Sequence, residues 1–88
     1  MSNRACAKFN NATLRVFGGA ITPVVYAWQT NDLDNPWSAQ ARLLNGDLVA
    51  VKFAPFSARS KRYAKNLAAD MAYQWLCAQY PAIDLSNV

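Results

Sequence analysis

The chain has 88 residues, 53% of them hydrophobic, with nine Lys and Arg against five Asp, no Glu and no His, for a formal net charge of +4. That length holds one small domain with apolar residues enough for a core, which excludes a disordered chain, and no apolar run approaches the ~18 residues of a membrane span. Without His or Glu, acid–base work would fall to Asp, Lys and Tyr, and no common zinc set can form. No enzyme, cofactor or metal is therefore expected.

Residues 1–88 show no linker or repeat, so a single domain is expected, with residues 1–4 and 82–88 as loose ends. Residues 5–17 place Cys6, Phe9, Thr13, Val16 and Phe17 on one helical face, with Gly18-Gly19 as a stop. Residues 13–17 also alternate like a strand, so a strand stays open there while periodicity favours the helix. Ile21-Thr22-Pro23 is a turn or strand start, because proline keeps the residue before it out of α conformation. Residues 24–29 are rich in β-branched and aromatic side chains and read as the first strand. The polar cluster 30–36 reads as a loop.

Residues 37–44 and 47–53 flank Asn45-Gly46, a favoured pair for a type I′ two-residue turn. The hairpin this predicts sets Leu43 beside Leu48, Arg42 beside Val49 and Ala41 beside Ala50. Ala39 and Ala41 leave room across that face for a bulky side chain, with Trp75 or Leu76 as the candidates. Residues 54–59 read as a loop around Pro55. Ser60 is the expected N-cap of a helix that ends near Gln79-Tyr80, because Pro81 cannot continue it. Its apolar stripe is Ala64, Leu67, Ala68, Met71, Ala72, Trp75 and Leu76. The order helix, three strands, helix predicts an α+β two-layer sandwich, α-β-β-β-α, with a three-stranded antiparallel sheet packed on two helices.

The two cysteines, Cys6 and Cys77, lack metal or redox spacing and are expected as reduced, partly buried thiols of an intracellular protein, with one disulfide as the alternative. Whether such a protein is nuclear or cytoplasmic is open.

Charge is concentrated. From Lys52 to Lys65 the chain carries Lys52, Arg59, Lys61, Arg62 and Lys65 and no acid. Lys61, Arg62 and Lys65 fall at the start of the last helix, where the macrodipole is positive and each cation costs about 0.3–1 kcal/mol. An anion held jointly by these side chains and the helix N–H groups would offset that cost. A plain solvated basic face is the alternative.

Ser60-Lys61-Arg62-Tyr63-Ala64-Lys65-Asn66-Leu67-Ala68-Ala69 resembles the second-helix signature of double-stranded RNA-binding domains, Ser-Lys-Lys-x-Ala-Lys-x-x-Ala-Ala. Pro23 and Tyr26 are similar to that family's Pro…Tyr start of the first strand, and the element order is the family's too. The resemblance implies non-catalytic binding of double-stranded RNA by shape. In that mode the first helix and the first inter-strand loop touch successive minor grooves, while the basic helix start meets phosphates across the major groove between them. Residue by residue, it implies phosphate contacts from Lys61, Arg62 and Lys65, with Arg59 beside them. It also implies minor-groove contacts from Asn10, Asn11 and Thr13 on the first helix and from Asn35, Pro36 and Trp37 in the loop.

The chain departs from the pattern in places. Asn35-Pro36-Trp37-Ser38 keeps the proline but not the histidine of the usual Gly-Pro-x-His loop, and the glycines before the second helix are missing. Trp37 either lies against a ribose or begins the second strand, the reading favoured here. These departures leave an alternative open, a protein-interaction or dimerisation module with weak or no RNA binding. An exposed Trp28, Trp37 or Trp75 would mark it; otherwise all three are core aromatics.

Overall fold

The first helix, α1 (Arg4–Phe17), buries Phe9, Ala12 and Thr13 on one face, so the helical period prevails over the strand alternation of residues 13–17. This computed structural model describes residues 4–88; residues 1–3 of the expected N-terminal loose end lie outside them, and Arg4 already belongs to α1. Gly18, at φ +65°, ends the helix in the left-handed region that glycine enters without a Cβ clash. A 3₁₀ turn (Gly18–Ala20) leads into β1 (Thr22–Gln29), followed by β2 (Trp37–Asn45), β3 (Leu48–Lys52), β4 (Phe56–Ala58) and α2 (Lys61–Gln79).

The sheet is antiparallel and centred on β2. Along one edge β2 pairs with β1, from Thr22 opposite Leu44 to Gln29 opposite Trp37. Along its other edge it pairs first with β4 and then with β3. The α-β-β-β-α order thus holds, with one addition. The predicted loop 54–59 contains β4, where Trp37, Ser38 and Ala39 pair with Ala58, Ser57 and Phe56.

The hairpin differs from expectation in register. The turn residues are Gly46 and Asp47, and Asn45 stays in the strand opposite Leu48. Only Gly46 has positive φ, +61°, so the geometry that needs two left-handed residues is not used. A bulge then leaves Ala50 unpaired, setting Leu44 against Val49, Leu43 against Val51 and Arg42 against Lys52. The predicted pairs Leu43–Leu48, Arg42–Val49 and Ala41–Ala50 are therefore not formed. The physical reason is facing: without the extra residue, Val51 would leave the core side, because a one-residue slip reverses every side chain.

Both helices cover the inner sheet face. Ala39, Ala41 and Leu43 of β2 are buried there with Phe9, Phe53 and Leu76 in one apolar cluster. Of the two bulky residues expected over the alanines, Leu76 is fully buried, a contribution of about 1.5–3 kcal/mol. Trp75 instead stays half-buried and meets Phe53 edge-on, ring centres 5.3 Å apart.

The buried stripe of α2 is rotated from the predicted one. Met71 is 40% exposed and Leu67 half-buried, while Ala69 and Tyr73 are buried. The cause is a second neighbour: α2 packs on α1 as well as on β2. The Cys6 thiol lies 4.0 Å from the Lys65 carbonyl, the Lys8 ammonium 5.4 Å from the Tyr73 ring centre, and the rings of Phe17 and Tyr80 are 5.5 Å apart. Contacts in that order mean that α1 and α2 run parallel, with both N-termini at the same end of the molecule. The expected reduced thiols are found, both half-buried.

Residues 82–88 are anchored rather than loose. Leu85 is buried, and the Tyr73 hydroxyl donates to its carbonyl at 2.7 Å. Arg15 donates to the Asp84 carbonyl at 2.9 Å and to the Asn87 side chain. Aromatic and arginine donors on the two helices find acceptors in this segment, which a reading of local pattern does not reveal.

Candidate nucleic-acid interface

Ser60 is the N-cap of α2: its backbone is extended and its hydroxyl accepts from the Tyr63 N–H at 3.0 Å. The cap satisfies one of the unpaired N–H groups at this end, and Lys61 and Arg62 are exposed residues of the first turn. Lys65 follows one turn later, half-buried, and Arg59 precedes the cap, exposed.

β4 decides what lies beside this cluster. Because Ala58 pairs with Trp37, Arg59, Ser60 and Lys61 emerge next to the first residue of β2. The Lys61 ammonium stands 5.7 Å from the Trp37 ring centre, within reach of a cation–π attraction. Trp37 begins the strand, as favoured, and packs partly against the core.

The loop before Trp37 closes on itself. The Thr30 N–H donates to the Pro36 carbonyl at 2.7 Å, and the Asp32 carboxylate accepts from the N–H groups of Asp34 and Asn35 at 2.9 and 3.2 Å. Asn35, Pro36 and Trp37 are thereby held, half-buried, next to the α2 start. Two of the three predicted contact regions thus adjoin.

The third is only partly as predicted. Asn10 and Asn11 are exposed on α1, but Thr13 is fully buried and its hydroxyl donates to the Phe9 carbonyl at 2.8 Å. Thr13 is a core residue and can touch no ligand. Its place four residues after Phe9 on the apolar face was the available signal. Asn11 borders Arg15, Asn87 and Val88, towards the end of α1 remote from the α2 start.

What faces the α2 start is the first part of α1. Arg4, Ala5 and Lys8 line a groove of about 370 Å³ together with Tyr63, Asn66, Leu67 and Asp70. Sequence reasoning missed Arg4 and Lys8, which share a helix face at i, i+4; seeing their relevance needs the parallel helix arrangement. The end of the molecule where both helices begin therefore carries Arg4, Arg59, Lys61, Arg62 and Lys65, while Lys8 and Asp70 line the groove farther along and the Lys8 ammonium reaches the Tyr73 ring.

Beneath it, burial pushes the Cys6 thiol up, partly opposed by the Lys65 charge, so Cys6 is protonated at neutral pH. Burial, aided by a hydrogen bond with Cys77, likewise pushes the Tyr73 phenol up. Trp28 is 42% exposed, so it is not a core aromatic and meets the mark set for a protein-interaction module, whereas Trp37 and Trp75 pack against the core. No protein-family model and no curated protein matches this chain.

Proposed function

We propose that this domain binds double-stranded RNA without catalysis, as a member of the double-stranded RNA-binding domain family. The reading is carried by one observation: the Lys61–Trp37 contact, which joins the basic α2 start to the β1–β2 loop on one continuous surface. In this reading Lys61, Arg62 and Lys65, with Arg59 alongside, neutralise phosphates across the major groove, and each neutralised phosphate makes binding more salt-dependent. Asn35, Pro36 and Trp37 then meet ribose hydroxyls in one minor groove, and α1 meets the next through Asn10 and Asn11. Such contacts read A-form shape rather than sequence.

The test replaces Lys61, Arg62 and Lys65 together by Ala and titrates duplex RNA and duplex DNA of equal length at moderate salt, with molar mass measured alongside. The expected result is a folded variant, unchanged or slightly stabilised because cations leave the positive helix end, that no longer binds duplex RNA. Unchanged affinity in that variant would defeat the reading. A stable dimer indifferent to both duplexes would replace it with a self-association module.

A further inference from the structure

We infer that the outer face of the sheet, on the side away from the helices, is a second site that takes single-stranded nucleic acid. Along β1 the outward residues include Tyr26 and Trp28, 46% and 42% exposed. They stand two residues apart on one strand, so their Cα atoms are about 7 Å apart and both side chains leave the same face. Trp28 lies opposite Ser38, which in turn lies opposite Ser57, so no large side chain stands across the strands from it.

Tyr26 lies opposite Gln40, whose side chain is fixed by hydrogen bonds. The Gln40 amide donates to the Phe53 carbonyl at 2.8 Å, and its oxygen accepts from Arg42 Nε and Nη2 at 3.1 and 3.0 Å. So held, the Arg42 guanidinium lies 5.0 Å from the Tyr26 ring centre. Guanidinium planes and aromatic rings are the surfaces on which unpaired bases stack.

Charge selects the occupant. The Ala50 bulge sets Arg42 directly opposite Lys52, and like charges in that position repel. β1, β2 and β3 contain no acidic residue to relieve them. A phosphate chain would. A second copy seated face to face would instead bring cations against cations. Planar stacking surfaces beside paired cations fit an unpaired polynucleotide, whereas a duplex hides its base faces. The site shares no residue with the duplex reading and does not depend on it.

The test titrates oligo-U and oligo-dT of about ten nucleotides, and duplex RNA, against four proteins. These are the wild type, the Tyr26→Leu/Trp28→Leu double variant, Lys52→Ala, and the Lys61, Arg62, Lys65 triple Ala variant. Leucine keeps apolar cover on the sheet while removing the rings. The double variant is expected to lose about 5- to 150-fold in single-strand affinity for each stack removed, with duplex-RNA affinity unchanged. Lys52→Ala should flatten the slope of log K on log salt by about 0.7. The triple variant should keep single-strand binding, and this holds even if duplex binding by the wild type fails.

Should the double variant not fold, Trp28→Leu alone together with Lys52→Ala decides the matter. The inference is overturned if the ring variants bind single strands as the wild type does, or if the triple variant loses single-strand binding. It is equally overturned if the wild type is a dimer that Trp28→Leu dissociates. Binding of either oligonucleotide through these residues supports it, and the ratio of the two affinities assigns the sugar preference.

Discussion

The Lys61 ammonium lies 5.7 Å from the centre of the Trp37 ring, and this pair is the hinge point between the β1–β2 loop and the start of α2. If the surface acts as one, the two side chains are coupled in binding. A cycle of Lys61→Ala, Trp37→Leu and the double variant should give a coupling of about 0.5–1 kcal/mol in duplex-RNA affinity. Additive losses would show that the two regions act separately.

The rotated stripe of α2 makes a sharp stability contrast. Leu76→Ala, at a fully buried position, should cost about 2–5 kcal/mol by urea denaturation. Met71→Ala, 40% exposed, should change stability by roughly 0.5 kcal/mol or less. Comparable losses at both positions would restore the stripe read from periodicity.

Ser60 acts through one hydroxyl. Ser60→Ala removes the acceptor for the Tyr63 N–H and should cost about 1 kcal/mol, with Ser60→Asp recovering most of it. Equal melting temperatures for all three proteins would mean that the cap contributes nothing.

The anchored C-terminal segment depends on Tyr73. Tyr73→Phe leaves the buried Leu85 carbonyl without its donor and should cost about 1–3 kcal/mol. Amide exchange at residues 83–88 should accelerate before any change elsewhere. Uniform acceleration would mean that the segment is not a separate unit.

Acid should loosen a turn within the same segment. The Ser86 hydroxyl and N–H hold the Asp84 carboxyl below its ordinary range, with the Arg15 charge assisting. A carboxyl held low in the folded state stabilises that state above the unfolded pKa, and the contribution is lost as pH falls through the folded one. The Ser86 amide shift, followed by NMR, should therefore titrate below the ordinary Asp range, and Asp84→Asn should abolish that step. A midpoint at the ordinary value would contradict the contact.

Local chemistry was legible in the sequence and tertiary consequence was not. Ser60 as cap, Pro81 as stop, the glycine after α1 and the antiparallel strands all follow from rules that act within a few residues. The turn at Gly46-Asp47 and the bulge at Ala50 answer to which side of the sheet Val51 must face, which no dipeptide encodes. β4 escaped because three residues beside a proline carry too little alternation to read. For the site, the Lys61 cluster was visible as misplaced charge. Arg4 and Lys8 were not, because their relevance arises only from how α1 lies against α2.

That parallel alignment has a consequence for how the protein travels. Neighbouring helices that run antiparallel cancel one another's fields, but these two add, and Arg4, Arg59, Lys61, Arg62 and Lys65 stand at the positive pole. The molecule is therefore a dipole with a built-in front. In dilute salt it should turn that front towards a polyanion during diffusion, before any contact, and raise the fraction of collisions that begin in the right orientation. Added salt should slow such encounters while leaving the interlocked core untouched.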